Sequence, residues 1–148
     1  MNVGIPVKKL KKDAKLPTAG SRQAAGYDLY ACTGAQRTLI APHTSVLIGT
    51  GIACAIPEGY FGAVFARSGL AAKKGLRPAN CVGVVDSDYR GEIMVALHND
   101  TEEERCVEEG ERIAQLVVMP CLSVSFIQKD ELDETERGEG GFGHTGRR

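Results

Sequence analysis

Two aspartates stand where a carboxylate needs a physical reason. Asp28, in Ala25-Gly26-Tyr27-Asp28-Leu29, follows a glycine inside an apolar, strand-like run. A carboxylate in such a run is costly unless it is paired, hydrogen-bonded or set beside a cation. A structural hydrogen bond and a cation site would each meet that need. Asp86 closes the apolar run Gly83-Val84-Val85 where a turn begins. A strand end is rigid yet reached by solvent, which suits a general base, and an Asx-type hydrogen bond would use the same residue. Asp88 and Glu92 offer rival carboxylates nearby, so position alone does not choose. Arg67-Ser68-Gly69 opens a segment whose head would present free backbone N–H groups to an anion. Gln115, among the apolar neighbours of Gly110–Leu116, needs a specific partner, whether backbone or ligand.

Short strands are the elements that must position these groups. Strand-like segments run over Tyr27–Cys32, Arg37–Ile40, Ser45–Ile56, Tyr60–Ala66, Cys81–Val85, Ile93–His98, Arg112–Met119 and Ser123–Gln128. Turn formers divide them: Ala41-Pro42, Pro57-Glu58-Gly59, Arg77-Pro78-Ala79-Asn80, Asn99-Asp100 and Glu109-Gly110. Many short strands with such punctuation predict an all-β sandwich or barrel. One stretch departs from this. Ser68 to Gly75 has a serine N-cap candidate, two alanines, the closing pair Lys73 and Lys74, and a terminal glycine. Those are the start and stop signals of a short helix.

The 148 residues make about one domain, and no internal repeat or second domain stands out. The 43% hydrophobic and 25% charged fractions fit a globular chain. No run approaches the ~18 apolar residues of a membrane helix. The charged start, with Lys8, Lys9, Lys11 and Lys12, has no signal-peptide core, so a soluble, cytoplasmic protein is expected. The formal net charge of -1 argues against direct nucleic-acid binding, which needs a basic excess, but leaves room for a nucleotide. The five cysteines form no C-x-x-C pair and lie mostly in apolar runs, so reduced, buried thiols are expected.

The last stretch differs in composition. From Asp130 to Arg148 the only large apolar residues are Leu132 and Phe142, with five glycines among them. Such a segment cannot order itself by burial. Yet Arg137, Phe142 and Thr145 supply one cation, one aromatic and one hydroxyl among flexible glycines. An arm closing over an anionic, aromatic ligand would need those parts. A disordered end and such an arm fit the composition equally well, and either way the chain divides into a β domain over residues 1–130 and a glycine-rich C-terminal segment over 131–148.

Taken together and in this order, the segments resemble those of the trimeric deoxyuridine triphosphate nucleotidohydrolase family, dUTPase. Five ordered motifs carry the resemblance: Ala25-Gly26-Tyr27-Asp28-Leu29, Arg67-Ser68-Gly69-Leu70-Ala71, Asn80 through Gly91, Gly110 to Leu116, and Arg137 to Gly146. The implied fold is a β jelly roll with one short helix and a flexible C-terminal arm. It assembles as a homotrimer with active sites shared between subunits. The implied reaction is hydrolysis of dUTP to dUMP and pyrophosphate, which limits uracil incorporation into DNA and supplies dUMP for thymidylate synthesis.

The resemblance also implies roles. Asp86 is the general base that activates the water attacking the α-phosphorus. Asp28 holds a water coordinated to Mg²⁺, while the ion itself bridges the three phosphates, as suits a cation that keeps its waters. Arg67, Ser68, Gly69 and Gln115 contact phosphates. Asn80 and the hairpin Gly83, Val84, Val85 and Asp86 read the polar edge of uracil. Tyr89 packs under deoxyribose, leaving no room for a ribose 2′-hydroxyl, and Met94 lies near that pocket. In the arm, Phe142 stacks on uracil, while Arg137 and Thr145 reach the terminal phosphates. Gly143 and His144 lie between, and His144 stands where the family usually carries serine. An imidazole still donates one hydrogen bond and, when protonated, adds a positive charge.

Two other readings compete. A dCTP deaminase resembles the family in fold and assembly, but its phosphate segment typically reads Arg-Ser-Ser, not Arg67-Ser68-Gly69. A non-catalytic trimeric nucleotide-binding module would be expected to lose the base or the arm, and this chain keeps both Asp86 and Phe142.

Overall fold

A computed structural model describes residues 3–141. Among them are twelve strands and one helix. In chain order the strands are β1 (Val7–Lys9), β2 (Thr18–Ala19), β3 (Tyr27–Tyr30), β4 (Arg37–Ile40), β5 (Ser45–Gly49), β6 (Ile52–Cys54) and β7 (Tyr60–Phe65). After the helix α1 (Ser68–Lys74) come β8 (Leu76–Pro78), β9 (Val82–Val85), β10 (Met94–Asn99), β11 (Arg105–Glu108) and β12 (Arg112–Pro120). Every pairing is antiparallel. A five-stranded sheet has the order β2-β3-β12-β7-β9 and a three-stranded sheet the order β5-β10-β8. Two further pairs, β1-β6 and β11-β4, complete the jelly-roll-like, all-β architecture.

One core joins the sheets. Leu29, Val64 and Leu116 from the five-stranded sheet pack in the same cluster as Ile48, Val95 and Leu97 from the three-stranded one. Ile40 and Val107 enter from β4 and β11, and Ile52 from β6. The strands alternate as a half-buried surface demands: in β10, Val95, Leu97 and Asn99 point inward while Met94 faces out. Asn99 is a fully buried polar residue, and it is fully used. Its Nδ2 donates to the carbonyls of Ile40 (3.0 Å) and Glu103 (2.8 Å). Its Oδ1 accepts from the backbone N–H (3.0 Å) and hydroxyl (2.8 Å) of Thr101. A single amide thus ties β4 and the turn after β10 to the core.

Several expectations change. The run 45–56 is two strands, not one, because Gly51 turns the chain with φ +69. Residues 123–128 alternate but form no strand: they find no neighbour, and Phe126 is 97% exposed. The helix has Arg67, not Ser68, at its N-cap, with no side-chain cap, and Gly75 in the left-handed region closes it. Only Cys32 and Cys54 are buried, whereas Cys81, Cys106 and Cys121 are exposed. Burial raises the pKa of both inner thiols and keeps them inert; for Cys32 the neighbouring Glu109 acts in the same direction. Among the described residues no helix is long and apolar enough to cross a membrane.

The Asn99 network makes a test of the core. Asn99→Ala removes the side-chain donor of the Ile40 carbonyl and leaves the Glu103 carbonyl only the Thr101 hydroxyl, which itself loses its Asn99 partner. It should lower the unfolding free energy by about 2–4 kcal/mol, measured by denaturant titration, with the far-UV spectrum of the folded state unchanged.

Candidate active site

The middle of the five-stranded sheet sets the first half of the site. Strand β12 lies between β3 and β7, and its register places Gln115 opposite Asp28 on one side and Phe65 on the other. The chain leaves β7 after Phe65 and reaches Arg67 two residues on. Arg67 Nε donates to Asp28 Oδ1 at 2.7 Å. Arg112 Nη1 donates to the other carboxylate oxygen, Oδ2, at 3.2 Å. Asp28, only 13% exposed, is therefore a carboxylate held between two guanidinium groups. Gln115 Nε2 donates to the Ala66 carbonyl at 2.9 Å, so its partner is backbone. The glycine in Gly26-Tyr27-Asp28 has a local cause: a Cβ there would sit 2.5 Å from Gln115 Oε1.

Arg112 was missed by sequence reasoning, and the reason is geometric. Residues three apart on a regular strand face opposite sides, so Arg112 and Gln115 should diverge. A register shift between Arg112 and Ala114 inserts Ile113 as an extra residue. Ile113 and Ala114 are both buried, and the bulge returns Arg112 to the face of Asp28 and Gln115. Two consecutive apolar residues before a polar one were the sequence signal available.

At the helix start, the Arg67 carbonyl accepts from the N–H groups of Leu70 and Ala71. Those of Ser68 and Gly69 have no hydrogen-bond partner among the described residues. Two unpaired N–H groups next to the Arg67 guanidinium suit an anion.

The second half of the site is the hairpin that follows β8. Asn80 precedes β9, and its side chain lies 3.5 Å from where a Cβ of Gly83 would stand. Cys81 sits between them with φ +63, uncommon for a non-glycine residue. Val84 is exposed, Val85 is buried, and Asp86 emerges exposed where the strand ends. The Asp86 carbonyl accepts the Tyr89 N–H at 3.2 Å, closing a turn. The Asp86 carboxylate enters no ion pair with any described residue. It lines an open groove of about 640 Å³ with Tyr60, Phe61, Asp88, Arg90 and Cys121.

These halves do not meet within one chain. Asp28, Gln115, Phe65 and Val82 form one row across the sheet. Asp86 lies four residues along β9 from that row. At the step of an extended strand this is about 13 Å along the sheet, and the three strand spacings from β3 to β9 add roughly 14 Å across it. Met94 stands on β10 in the other sheet, opposite Gly49. Among the described residues Arg137 makes a local contact, donating from Nε to the Gly140 carbonyl at 2.8 Å. Phe142, Gly143, His144 and Thr145 lie outside the described residues.

For a metal, no group of three His, Cys, Asp or Glu side chains converges among the described residues. Each oxygen of Asp28 already accepts from an arginine, so a directly bound cation would lie against two guanidinium charges. Contact through a water molecule fits this donor set, with the remaining ligands coming from a substrate.

The fold is an antiparallel jelly roll that sets a carboxylate–arginine cluster of net positive charge on one row and, among the described residues, an unpaired carboxylate on a distant hairpin. Comparison with known proteins gives the family. The dUTPase family model matches residues 12–146. A deoxyuridine 5′-triphosphate nucleotidohydrolase of Hydrogenobaculum is 47% identical over 140 residues, covering 95% of this chain and 96% of that relative. One from Desulfotalea psychrophila is 50% identical over 131 residues, covering 88% and 87%. The dUTPase of Staphylococcus bacteriophage 80alpha, solved with dUPNHPP, superposes with a TM-score of 0.89 at 31% identity, covering 98% of this chain and 99% of that one. A dUTPase from phage phi11 of S. aureus, solved to show coordination of a structural Mg(II) ion, has a TM-score of 0.78 at 25% identity, covering 87% and 98%. The chain belongs to the dUTPase family.

The cluster predicts its own anion response. Asp28 competes with any incoming anion for Arg67 and Arg112. Asp28→Ala should bind inorganic tripolyphosphate about tenfold more tightly than the parent, measured by calorimetry without added metal; unchanged or weaker binding would show that the arginines do not face the anion site.

Proposed function

We propose that this chain hydrolyses dUTP to dUMP and pyrophosphate in sites assembled between the copies of a homotrimer. The observation that carries this is the separation of Asp86 from the Asp28–Arg67–Gln115 row on a sheet too stiff to fold them together. One nucleotide can touch both only if they come from different chains. The Asp28 cluster of one copy then faces the Asp86 hairpin of another, with residues 131–148 closing the site as an arm. The substrate is a free nucleotide of the cytoplasm, and no nucleic acid or membrane enters the reaction.

In this reading Arg67 and Gln115, with the N–H groups of Ser68 and Gly69, bind the phosphate chain. Mg²⁺ carried by the triphosphate, and held through water by Asp28, would supply charge neutralisation and fix the phosphates. The exposed, unpaired carboxylate of Asp86 takes a proton from a water placed in line with the α-phosphorus. Asn80 and the backbone of Gly83 to Asp86 recognise uracil by its donor and acceptor pattern. The narrow hairpin excludes the thymine methyl. Tyr89 packs under the deoxyribose, and Met94 borders the pocket. From the arm, Phe142 stacks on the base, an interaction worth about 1–3 kcal/mol. Arg137, Gly143, His144 and Thr145 complete the phosphate clamp, and closure removes water from the reacting groups.

The direct test is pyrophosphate release measured side by side with dUTP, dTTP, dCTP and UTP. Release is expected from dUTP alone. Asp86→Asn should abolish it while keeping nucleotide affinity within about tenfold; loss of binding would make Asp86 a structural residue.

A mixing experiment tests the shared site. Asp86→Asn and Arg67→Ala chains, each inactive alone, are unfolded, combined in equal amounts and refolded together. Sites drawing Asp86 from one copy and Arg67 from another should recover about a quarter of parental activity by random assortment. A site contained in one chain would recover none.

A further inference from the structure

We propose that Glu92 is a positioning residue that sets the sugar selectivity of the site by fixing the ring of Tyr89. This rests on the reading that Tyr89 packs beneath the deoxyribose. Asp88 and Glu92 are the carboxylates of the hairpin region that the reaction leaves unused, and Asp88 lines the groove while Glu92 is turned into the protein. Glu92 does not point toward Asp86 or the groove. Its Oε1 accepts the backbone N–H of Gly51 at 2.7 Å, and Lys11 Nζ stands 3.9 Å from the same oxygen. Lys11 in turn donates to the Cys32 carbonyl at 2.8 Å.

Two glycines shape this seat. A Cβ on Gly49 would lie 2.5 Å from Glu92 Oε1. Gly51 has φ +69, and a Cβ there would meet Ala14 Cβ at 2.8 Å and Cys32 Sγ at 2.9 Å. The backbone beside the seat is also fastened. The Ile93 N–H donates to the Ile52 carbonyl at 2.9 Å, and the buried Thr50 hydroxyl donates to the Ile93 carbonyl at 2.6 Å.

The clamp is transmitted to the aromatic ring by one bond. The Tyr89 hydroxyl donates to the Glu92 carbonyl at 3.0 Å. Gly91 lies under the ring, where any Cβ would overlap the phenol. The ring is thus held at its hydroxyl end by Glu92 and at its backbone end by the turn bond to Asp86, with the remaining surface open. Ribose differs from deoxyribose by one hydroxyl group, and a wall that rejects it by contact works only if it stays in place. A displacement of about 1 Å is enough to change such discrimination severely. The Lys11 contact is long and partly exposed, so the Gly51 hydrogen bond is the main tether.

The measurement is the ratio of kcat/KM for dUTP to that for UTP in the full-length protein. Glu92→Ala should lower the ratio about tenfold. Glu92→Gln, which keeps an acceptor oxygen for Gly51, should retain it. Glu92→Asp, one methylene short of the seat, should behave like alanine and serves if the alanine variant fails to fold. Tyr89→Phe, which cuts the bond to the Glu92 carbonyl, should fall in the same direction. A lower melting temperature with an unchanged ratio in both Glu92→Ala and Glu92→Asp overturns the proposal. Tyr89→Ala separates the two readings. If its ratio is unchanged, the placement of Tyr89 under the sugar fails, and this inference with it. If its ratio falls while those Glu92 variants keep theirs, the inference alone fails.

Discussion

An extended strand advances about 3.3 Å per residue and lies about 4.8 Å from its neighbour, and neither distance can be altered without breaking the ladder. In this protein those two spacings control where chemistry is possible. Strand β12 sits between β3 and β7, and its register fixes Asp28, Gln115 and Phe65 in one row. The groups proposed to handle phosphate gather at or beside that row: Arg67 follows β7, Arg112 is brought round by the Ile113 bulge, and α1 begins at Ser68. Asp86 is carried away from it along β9. The antiparallel ladder is therefore both the scaffold of the site and the reason that one chain holds two incomplete halves.

The electrostatics of the two halves differ in kind. Around Asp28, one carboxylate meets two guanidinium groups, leaving an excess positive charge that a polyphosphate can neutralise. Around Asp86, the carboxylate is exposed and without an ion-pair partner among the described residues, so its lone pairs remain free for a water proton. Placing a base beside two arginines would have engaged those lone pairs. Distance along the sheet keeps the positive row and the unpaired carboxylate of the hairpin from neutralising one another.

Much of this was legible in the residues. Turn formers such as Ala41-Pro42 and Pro57-Glu58-Gly59 lie between observed strands, and the end of the apolar run Gly83–Val85 puts Asp86 where a strand stops. The short helix was legible through Lys73, Lys74 and Gly75. Other features were not. Strands of two or three residues, such as Thr18–Ala19 and Val7–Lys9, are too short to show a period. Residues 123–128 do show one, yet a period without a neighbouring strand makes no ladder. Arg77, bound through Nε and Nη2 to Asp100, pairs residues 23 apart that no local pattern joins.

The sequence by itself determined the class of fold, the order of the five motifs and the residue types at each, because alternation, turn chemistry and motif spacing are properties of neighbours in the chain. Tertiary structure alone decided that Asp28 binds two arginines, that Gln115 commits one of its two amide N–H donors to the Ala66 carbonyl, and that Glu92 is half-buried against Gly51 rather than aimed at the hairpin groove. Each of those outcomes joins residues at least 39 positions apart, and a bond between such residues exists only once the sheet register has been set.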